Sequence, residues 1–156
     1  MLSVKERRMA DTTESDERVA IVAMDGSKHA EQAWQWFLEN IHKEGDRCIL
    51  LYCVDHPVWM PTDPHQIAQA YHEEERRAQR VLDKLKELVQ QSSAKSEVVK
   101  AIGEPGETIV KKAEEIGAEL IVVGCRGLGQ IRRTFLGSVS DYVLHHSSVP
   151  VFVCRH

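Results

Sequence analysis

No apolar run in the 156-residue chain approaches the roughly 20 residues that a membrane-spanning helix needs, so no bilayer span is expected. Neither sign of charge dominates: 20 Lys and Arg stand against 24 Asp and Glu, a formal net charge of −4 at pH 7. Charge therefore implies no nucleic-acid or membrane surface. The four cysteines, Cys48, Cys53, Cys125 and Cys154, contain no CxxC pair, which favours reduced thiols in a cytoplasmic protein over a disulfide or metal framework. Zinc-finger spacing is missing as well. His145 and His146 are adjacent and so point about 100° apart on a helix, and His65 and His72 lie two helical turns apart. Two phosphate-loop signatures are absent too. GxxxxGKS/T occurs nowhere, excluding the lysine-bearing loop. Gly127-Leu128-Gly129 opens a GxG, but Arg132 stands in the third glycine's place, so a dinucleotide fingerprint fails.

What is present begins with a leader. Residues 1–18, MLSVKERRMADTTESDER, are polar and lack apolar periodicity, the composition of a disordered segment. Lys5, Arg7 and Arg8 hint at a presequence, but acidic residues follow closely and no apolar core for secretion exists. Residues 19–156 are then expected to form one domain, the default for this length. Continuous apolar runs mark five strands: Val19–Met24, Arg47–Val54, KSEVVKAI, AELIVV and Val149–Cys154. Between them lie amphipathic helices. KHAEQAWQWFLENIH carries Ala30, Ala33, Trp34, Phe37, Leu38 and Ile41 at helical spacing. A loop with three prolines, DHPVWMPTDP, leads to a long helix from about Gln66 to Gln91, with Ile67, Tyr71, Ala78, Leu82, Leu85 and Val89 on one face. Its Glu73 and Arg77 form an i,i+4 pair in the favoured order. A third helix opens near Pro105 and closes at Gly117, and SVSDYVLHHS gives the fourth. Apolar strands alternating with helices predict an α/β, doubly wound parallel sheet with helices on both faces. Periodicity does not give the strand order.

Ligands of such sheets bind at the carboxyl ends of the strands. Asp25-Gly26-Ser27 follows the first strand, Asp55-His56 the second, and Gly124 through Ser138 the fourth. The last loop is the most informative. Its glycines admit close approach to the main chain, and Gly137-Ser138 opens a helix whose free N–H groups and positive dipole end suit an anion. Two readings stand at this point: a phosphate site, or a loop that only turns a corner.

The spacing Gly124-x2-Gly127-x9-Gly137-Ser138 resembles the nucleotide-binding signature of the universal stress protein family. The strand ending at Asp25, the LLYCVD strand, the GEPGETIVKKAEEIGAELIVVG segment and the closing SSVPVFVC are similar to that family's landmarks, in order, over about Val19 to Cys154. The resemblance implies a Rossmann-like sheet in the order 3-2-1-4-5 and ATP between strands one and four. Mg²⁺ would accompany ATP through the phosphates. It also implies a homodimer formed through the C-terminal strand, a stress-response role, and protein partners that the sequence does not identify.

Residue by residue, Asp25 would face the ribose; its commoner role is to form a turn or cap a helix. Cys53 would offer main-chain groups to adenine, its side chain packing in the core. Gly124, Arg126 and Gly127 would line the ribose and first phosphates, with Gly137, Ser138 and Ser140 at the later phosphates. The two serines could also cap the last helix. Cys125 departs from the small hydroxyl residue common in the family. It is expected to be a small buried side chain, or else a thiol made reactive by Arg126. The leading reading is a regulatory ATP-binding protein. Slow ATP hydrolysis in the same pocket and a nucleotide-free dimeric module are the alternatives, and no catalytic residue is assigned because neither a Walker lysine nor a clear general base is visible.

Overall fold

The computed structural model describes residues 17–55, 62–125 and 136–155. The expected leader lies outside them except for Glu17 and Arg18. The chain runs β1 (Val19–Ala23), α1 (Lys28–Asn40), β2 (Arg47–Val54), α2 (Pro64–Gln91), β3 (Lys95–Ile102), α3 (Pro105–Glu115), β4 (Leu120–Gly124), α4 (Ser138–His146) and β5 (Val151–Cys154). The strands pair in parallel in the order β3-β2-β1-β4-β5, which matches the order implied by the resemblance.

Side-chain alternation along the strands divides the core into two layers. Ala20, Val22, Leu50, Tyr52 and Val122 meet α1 and α2, which contribute Trp34, Phe37, Ala78 and Leu85. Ile21, Ile49, Leu51, Ile121 and Val123 meet α3 and α4, which contribute Ile109, Ala113 and Val143. Both sheet faces are thus covered, which is why the strands read as unbroken apolar runs. Each fully buried Val, Leu or Ile stabilises by about 1.5–3 kcal/mol against exposure.

Capping residues set the helix starts. Ser27 Oγ accepts from the Ala30 N–H at 3.2 Å, Asp63 Oδ1 from the His65 N–H at 2.9 Å, and Glu104 Oε2 from the Glu107 N–H at 2.8 Å. Pro64 and Pro105 follow the latter two caps, where a missing N–H costs nothing. The strand expected from Val149 begins at Val151. Ser147 brackets the entry by donating to the Val149 carbonyl at 2.8 Å and accepting the Val149 N–H at 3.1 Å.

The expected apolar face of α2 meets the sheet only in its second half. Ala78 and Leu85 are its buried residues, whereas Ile67 is half-buried and Tyr71 is 52% exposed. Length explains this. A helix of 28 residues spans about 42 Å, and the eight residues of β2 span about 26 Å. The first half of α2 therefore extends past the carboxyl edge of the sheet. The expected Glu73–Arg77 ion pair is not formed among the described residues. Both side chains are exposed, where such a pair is worth only a few tenths of a kcal/mol.

Helices α3 and α4 touch through a glycine. A Cβ on Gly106 would lie 2.8 Å from Tyr142 Cδ1 and 2.9 Å from Cγ, and the Tyr142 ring is backed by His146 with ring centroids 3.9 Å apart. Gly106→Ala is expected to cost about 1–3 kcal/mol by overpacking. A lower denaturant midpoint at unchanged m-value would show it; an unchanged midpoint would mean that the Tyr142–His146 stack yields freely.

Candidate functional site at the carboxyl edge of strands 1 and 4

β1 and β4 are neighbours, yet β1 connects onward toward β2 and β4 toward β5 on the other side. Their carboxyl ends thus bound the crevice where the winding direction reverses. On the β1 side the Met24 N–H still bonds the Leu51 carbonyl at 2.8 Å. The chain then turns away. Asp25 Oδ1 accepts the Ser27 N–H at 2.9 Å, and Gly26 takes φ +82°, a conformation that suits glycine. Ser27 caps α1. Asp25 is therefore the turn former and Ser27 the cap, and one carboxylate oxygen of the half-buried Asp25 is used in the turn.

Cys53 has its side chain in the layer beneath α3, with Sγ 4.0 Å from the Pro105 carbonyl. Burial, reinforced by Glu104, pushes its thiol up to about 12. The side chain is core. Its main chain is placed differently: Leu51 gives its carbonyl to Met24 on the β1 side and Val54 gives its carbonyl to Gly103 on the β3 side. By strand alternation, Cys53 turns its main-chain groups to the β1 side, beyond the point where β1 has ended.

On the β4 side, Gly124 closes the strand and the Cys125 N–H bonds the Cys154 carbonyl at 2.8 Å. Arg126 and Gly127 lie outside the described residues, as do Gly129, Arg132 and Arg133. The chain is next described close to where it left. The Gly137 N–H bonds the Cys125 carbonyl at 2.8 Å, and the buried Ser140 hydroxyl donates to the Gly137 carbonyl at 2.9 Å, with the Cys125 carbonyl at 3.4 Å. These bonds tie the start of α4 to the end of β4.

Gly137 is the cap residue of α4, in extended backbone, and no side chain caps the helix. Neither serine takes the capping role. The first intrahelical bond runs from the Asp141 N–H to the Gly137 carbonyl at 2.9 Å. Among the described residues the N–H groups of Ser138, Val139 and Ser140 thus have no capping partner, with the exposed Ser138 beside them. Three donors and the positive end of a helix dipole together form an anion-binding arrangement.

Two further thiols, Cys48 at the amino end of β2 and Cys154 at the carboxyl end of β5, are not ionised at neutral pH. Burial pushes Cys48 up to about 12, with Asp46 adding to it and Arg18 opposing, and burial also raises Cys154. Cys125 is buried, as expected for a small packed side chain.

Comparison with known proteins places this chain in a family. Residues 18–155 match the Universal stress protein family. The chain belongs to the universal stress protein family. Among its relatives, the universal stress protein YxiE of Bacillus subtilis is 30% identical over 133 residues, covering 85% of this chain and 88% of YxiE. Universal stress protein Sll1388 of Synechocystis is 28% identical over 154 residues, covering 87% and 96%. In three dimensions the chain resembles universal stress protein UspA from Lactobacillus plantarum with a TM-score of 0.75 at 24% identity, over 91% of this chain and all of that one. Two further structures share the fold. A universal stress protein family protein from Arabidopsis thaliana with AMP bound has a TM-score of 0.63 at 20% identity, covering 87% and 90%. A universal stress protein in complex with cAMP has 0.56 at 23% identity, covering 90% and 98%.

The sequence did not single out the α2 wall of this crevice. Val81 packs against the Gly26 turn, with a Gly26 Cβ position 3.0 Å from Val81 Cγ2. Val81 was not among the face residues expected from periodicity, because helical spacing reports intrahelical neighbours and not what a helix overhangs.

Proposed function

We propose that this family member is a regulatory nucleotide-binding protein that takes ATP in the crevice between β1 and β4. One observation carries the reading: among the described residues α4 begins without a capping side chain, and two hydrogen bonds to the Cys125 carbonyl, from the Gly137 N–H and the Ser140 hydroxyl, fasten its start to the end of β4. The phosphates would meet the N–H groups of Ser138, Val139 and Ser140, the Ser138 hydroxyl, and the loop that carries Gly124, Arg126 and Gly127. Asp25 keeps one carboxylate oxygen for the ribose, and the Cys53 main chain faces the position expected for adenine. Two same-fold structures were solved with AMP and with cAMP, which supports a nucleotide as the ligand. Mg²⁺ would be held through the phosphates, since no group of three His, Cys, Asp or Glu among the described residues could hold a metal ion. Several charge-assisted hydrogen bonds at about 1.5–3 kcal/mol each would outweigh the dipole's 0.3–1 kcal/mol.

The reading includes a homodimer through β5, which is paired on one side, to β4. Phe152 and Trp36 on that flank are 40% and 38% exposed, with ring centroids 6.5 Å apart. An unpaired edge with exposed aromatic side chains suits pairing with a second copy.

Gly137→Asp separates ligand binding from helix stability. An Asp cap would satisfy a free N–H and stabilise the ligand-free protein by a few tenths of a kcal/mol. The same carboxylate would occupy the anion position and repel phosphate. Equilibrium dialysis is expected to show saturable ATP binding by the wild type, weakened at least tenfold in Gly137→Asp. A folded Gly137→Asp protein that binds ATP like the wild type would remove α4 from the site.

A further inference from the structure

The sheet ends in two edges, β3 and β5, and they differ in charge. β3 carries Lys95, Glu97 and Lys100, whereas Val151–Cys154 carries no charged residue. Charges on an edge strand discourage pairing, and a charge at the centre of a two-fold pairing meets its own copy. β5 is therefore the edge that suits a second copy of this chain, and its hydrogen bonds restrict how that copy can sit. The Ile121 N–H bonds the Pro150 carbonyl at 3.0 Å, and the Cys125 N–H bonds the Cys154 carbonyl at 2.8 Å. Pro150, Phe152 and Cys154 thus turn their main chain toward β4, and Val151 and Val153 turn theirs outward. Val149 alternates outward as well, but Ser147 holds both its groups. The Ser147 hydroxyl donates to the Val149 carbonyl at 2.8 Å and accepts the Val149 N–H at 3.1 Å. The outward main chain of the strand is confined to Val151 and Val153.

The geometry points to one register: β5 pairs antiparallel with β5 of a second copy about a two-fold axis at Phe152, and Ser147 is the positioning residue that excludes its neighbour. In this register Val151 faces the second copy's Val153, Val153 faces its Val151, and each such pair exchanges two hydrogen bonds. Centring on Val151 would set Val153 against Val149, whose groups Ser147 holds. Centring on Val153 would set Val151 against Arg155, past the end of β5. Phe152 then meets the second copy's Phe152 as a non-hydrogen-bonded pair, the closest kind, with Cα atoms about 4.5 Å apart. Phe152 lies on the α1 face, 40% exposed, its ring centroid 6.5 Å from that of the 38% exposed Trp36. Symmetry turns this pair into a row running Trp36, Phe152, the second copy's Phe152 and its Trp36. α1 therefore joins the interface, and aromatic pairing across the axis stabilises it. This register rests on the homodimer reading above and adds the contacts that set it.

Disulfide trapping in the full chain tests it, with the association state of each variant read by sedimentation. Phe152→Cys places two thiols face to face across the axis, within disulfide reach, whereas two Val151→Cys thiols are diagonal neighbours about 7–8 Å apart. Under mild oxidation Phe152→Cys is expected to form a covalent dimer about tenfold faster than Val151→Cys, measured above the background of the four native cysteines in wild type. A mixture of Val151→Cys and Val153→Cys keeps Phe152 in place and should link where neither variant alone does. Ser147→Ala should raise the yield from Val151→Cys, because freeing Val149 opens the register centred on Val151. Val151→Cys linking as fast as Phe152→Cys would overturn the register, and so would a dimeric wild type whose variants stay dimeric yet link in neither arrangement. A Val151→Cys yield unmoved by Ser147→Ala would remove Ser147 from it. A monomeric wild type would instead remove the homodimer reading, and this inference with it.

Discussion

Trp34→Ala is expected to destabilise the protein by about 3–5 kcal/mol, lowering the thermal midpoint by roughly 10 °C or more for a chain of this size. Trp34 is wholly buried and stacks on Phe37 with ring centroids 5.8 Å apart, in the layer between the sheet and α1 and α2. Truncation would remove an indole from the centre of that layer and leave a cavity that the β1 and β4 side chains cannot fill. Two residues on, Trp36 points the other way and is 38% exposed, so Trp36→Ala should cost well under 1 kcal/mol in the monomer. Among the described residues the indole N–H of Trp34 has no hydrogen-bond partner. Trp34→Phe should therefore cost less than its lost volume alone suggests, because it also removes an unsatisfied buried donor. Similar losses for Trp34→Ala and Trp36→Ala would contradict this packing.

Asp46→Asn is expected to cost about 2–3 kcal/mol at neutral pH and to flatten the acid limb of the stability profile. Asp46 is almost fully buried at the amino end of the sheet, opposite the crevice. It accepts from Arg18 Nε at 2.9 Å, pairs with Arg18 Nη2, and accepts the Lys43 N–H at 2.7 Å. Arg18 also donates to the Ile41 carbonyl at 2.9 Å, so the knot joins the start of β1 to the α1–β2 turn. The cost stays below that of breaking a fully buried pair because Arg18 retains 27% exposure and water can reach it. Burial works against the Asp46 carboxylate, but the hydrogen bonds from Arg18 and Lys43 prevail and hold it below the ordinary carboxylate value. A depressed native value means stability that is fully present above the unfolded-state value of about 4 and lost as pH falls through the native one. Urea unfolding from pH 7 to pH 2 should show that loss in wild type and much less of it in Asp46→Asn. Parallel pH profiles would show that Asp46 is not the group responsible.

These two residues also show what the sequence reveals and what it hides. Trp34 and Phe37 were legible because three-residue spacing within a helix identifies the buried side directly. Arg47–Val54 and Lys95–Ile102 took their expected bounds, since β2 and β3 pair along their whole length. The Arg18–Asp46 pair left no sequence signal: its partners are 28 residues apart, and only the parallel pairing of β1 with β2 brings them together. Strand order was equally invisible to periodicity, which describes one element at a time, and came from the family resemblance.

The candidate site was legible in its backbone and less so in its side chains. Asp25, Gly124 and Gly137 lie at the carboxyl ends or helix start where the motif spacing put them, and Cys53 offers its main chain while its thiol packs away. Arg126 and Gly127 fall outside the described residues. Ser140, expected at phosphate, uses its hydroxyl proton to bind the Gly137 carbonyl. Its amide remains available, a distinction that residue type alone cannot make. Val81 came into view only once α2 had a direction and a length.

The central claim is that the uncapped start of α4 and the glycine loop before it hold a nucleotide. Thermal unfolding with and without Mg²⁺–ATP, AMP and GTP, on wild type and on the Gly127→Val, Gly137→Val double variant, tests it most directly. Gly137 has φ −65° and ψ 154°, values that valine adopts without strain, so that position should not unfold the variant. At a hundredfold excess over the dissociation constant, ATP should add about 2.7 kcal/mol and raise the wild-type midpoint by roughly 5–10 °C, with no rise in the folded double variant. An unchanged wild-type midpoint across millimolar ATP would contradict the account and leave a family member acting through its surfaces alone.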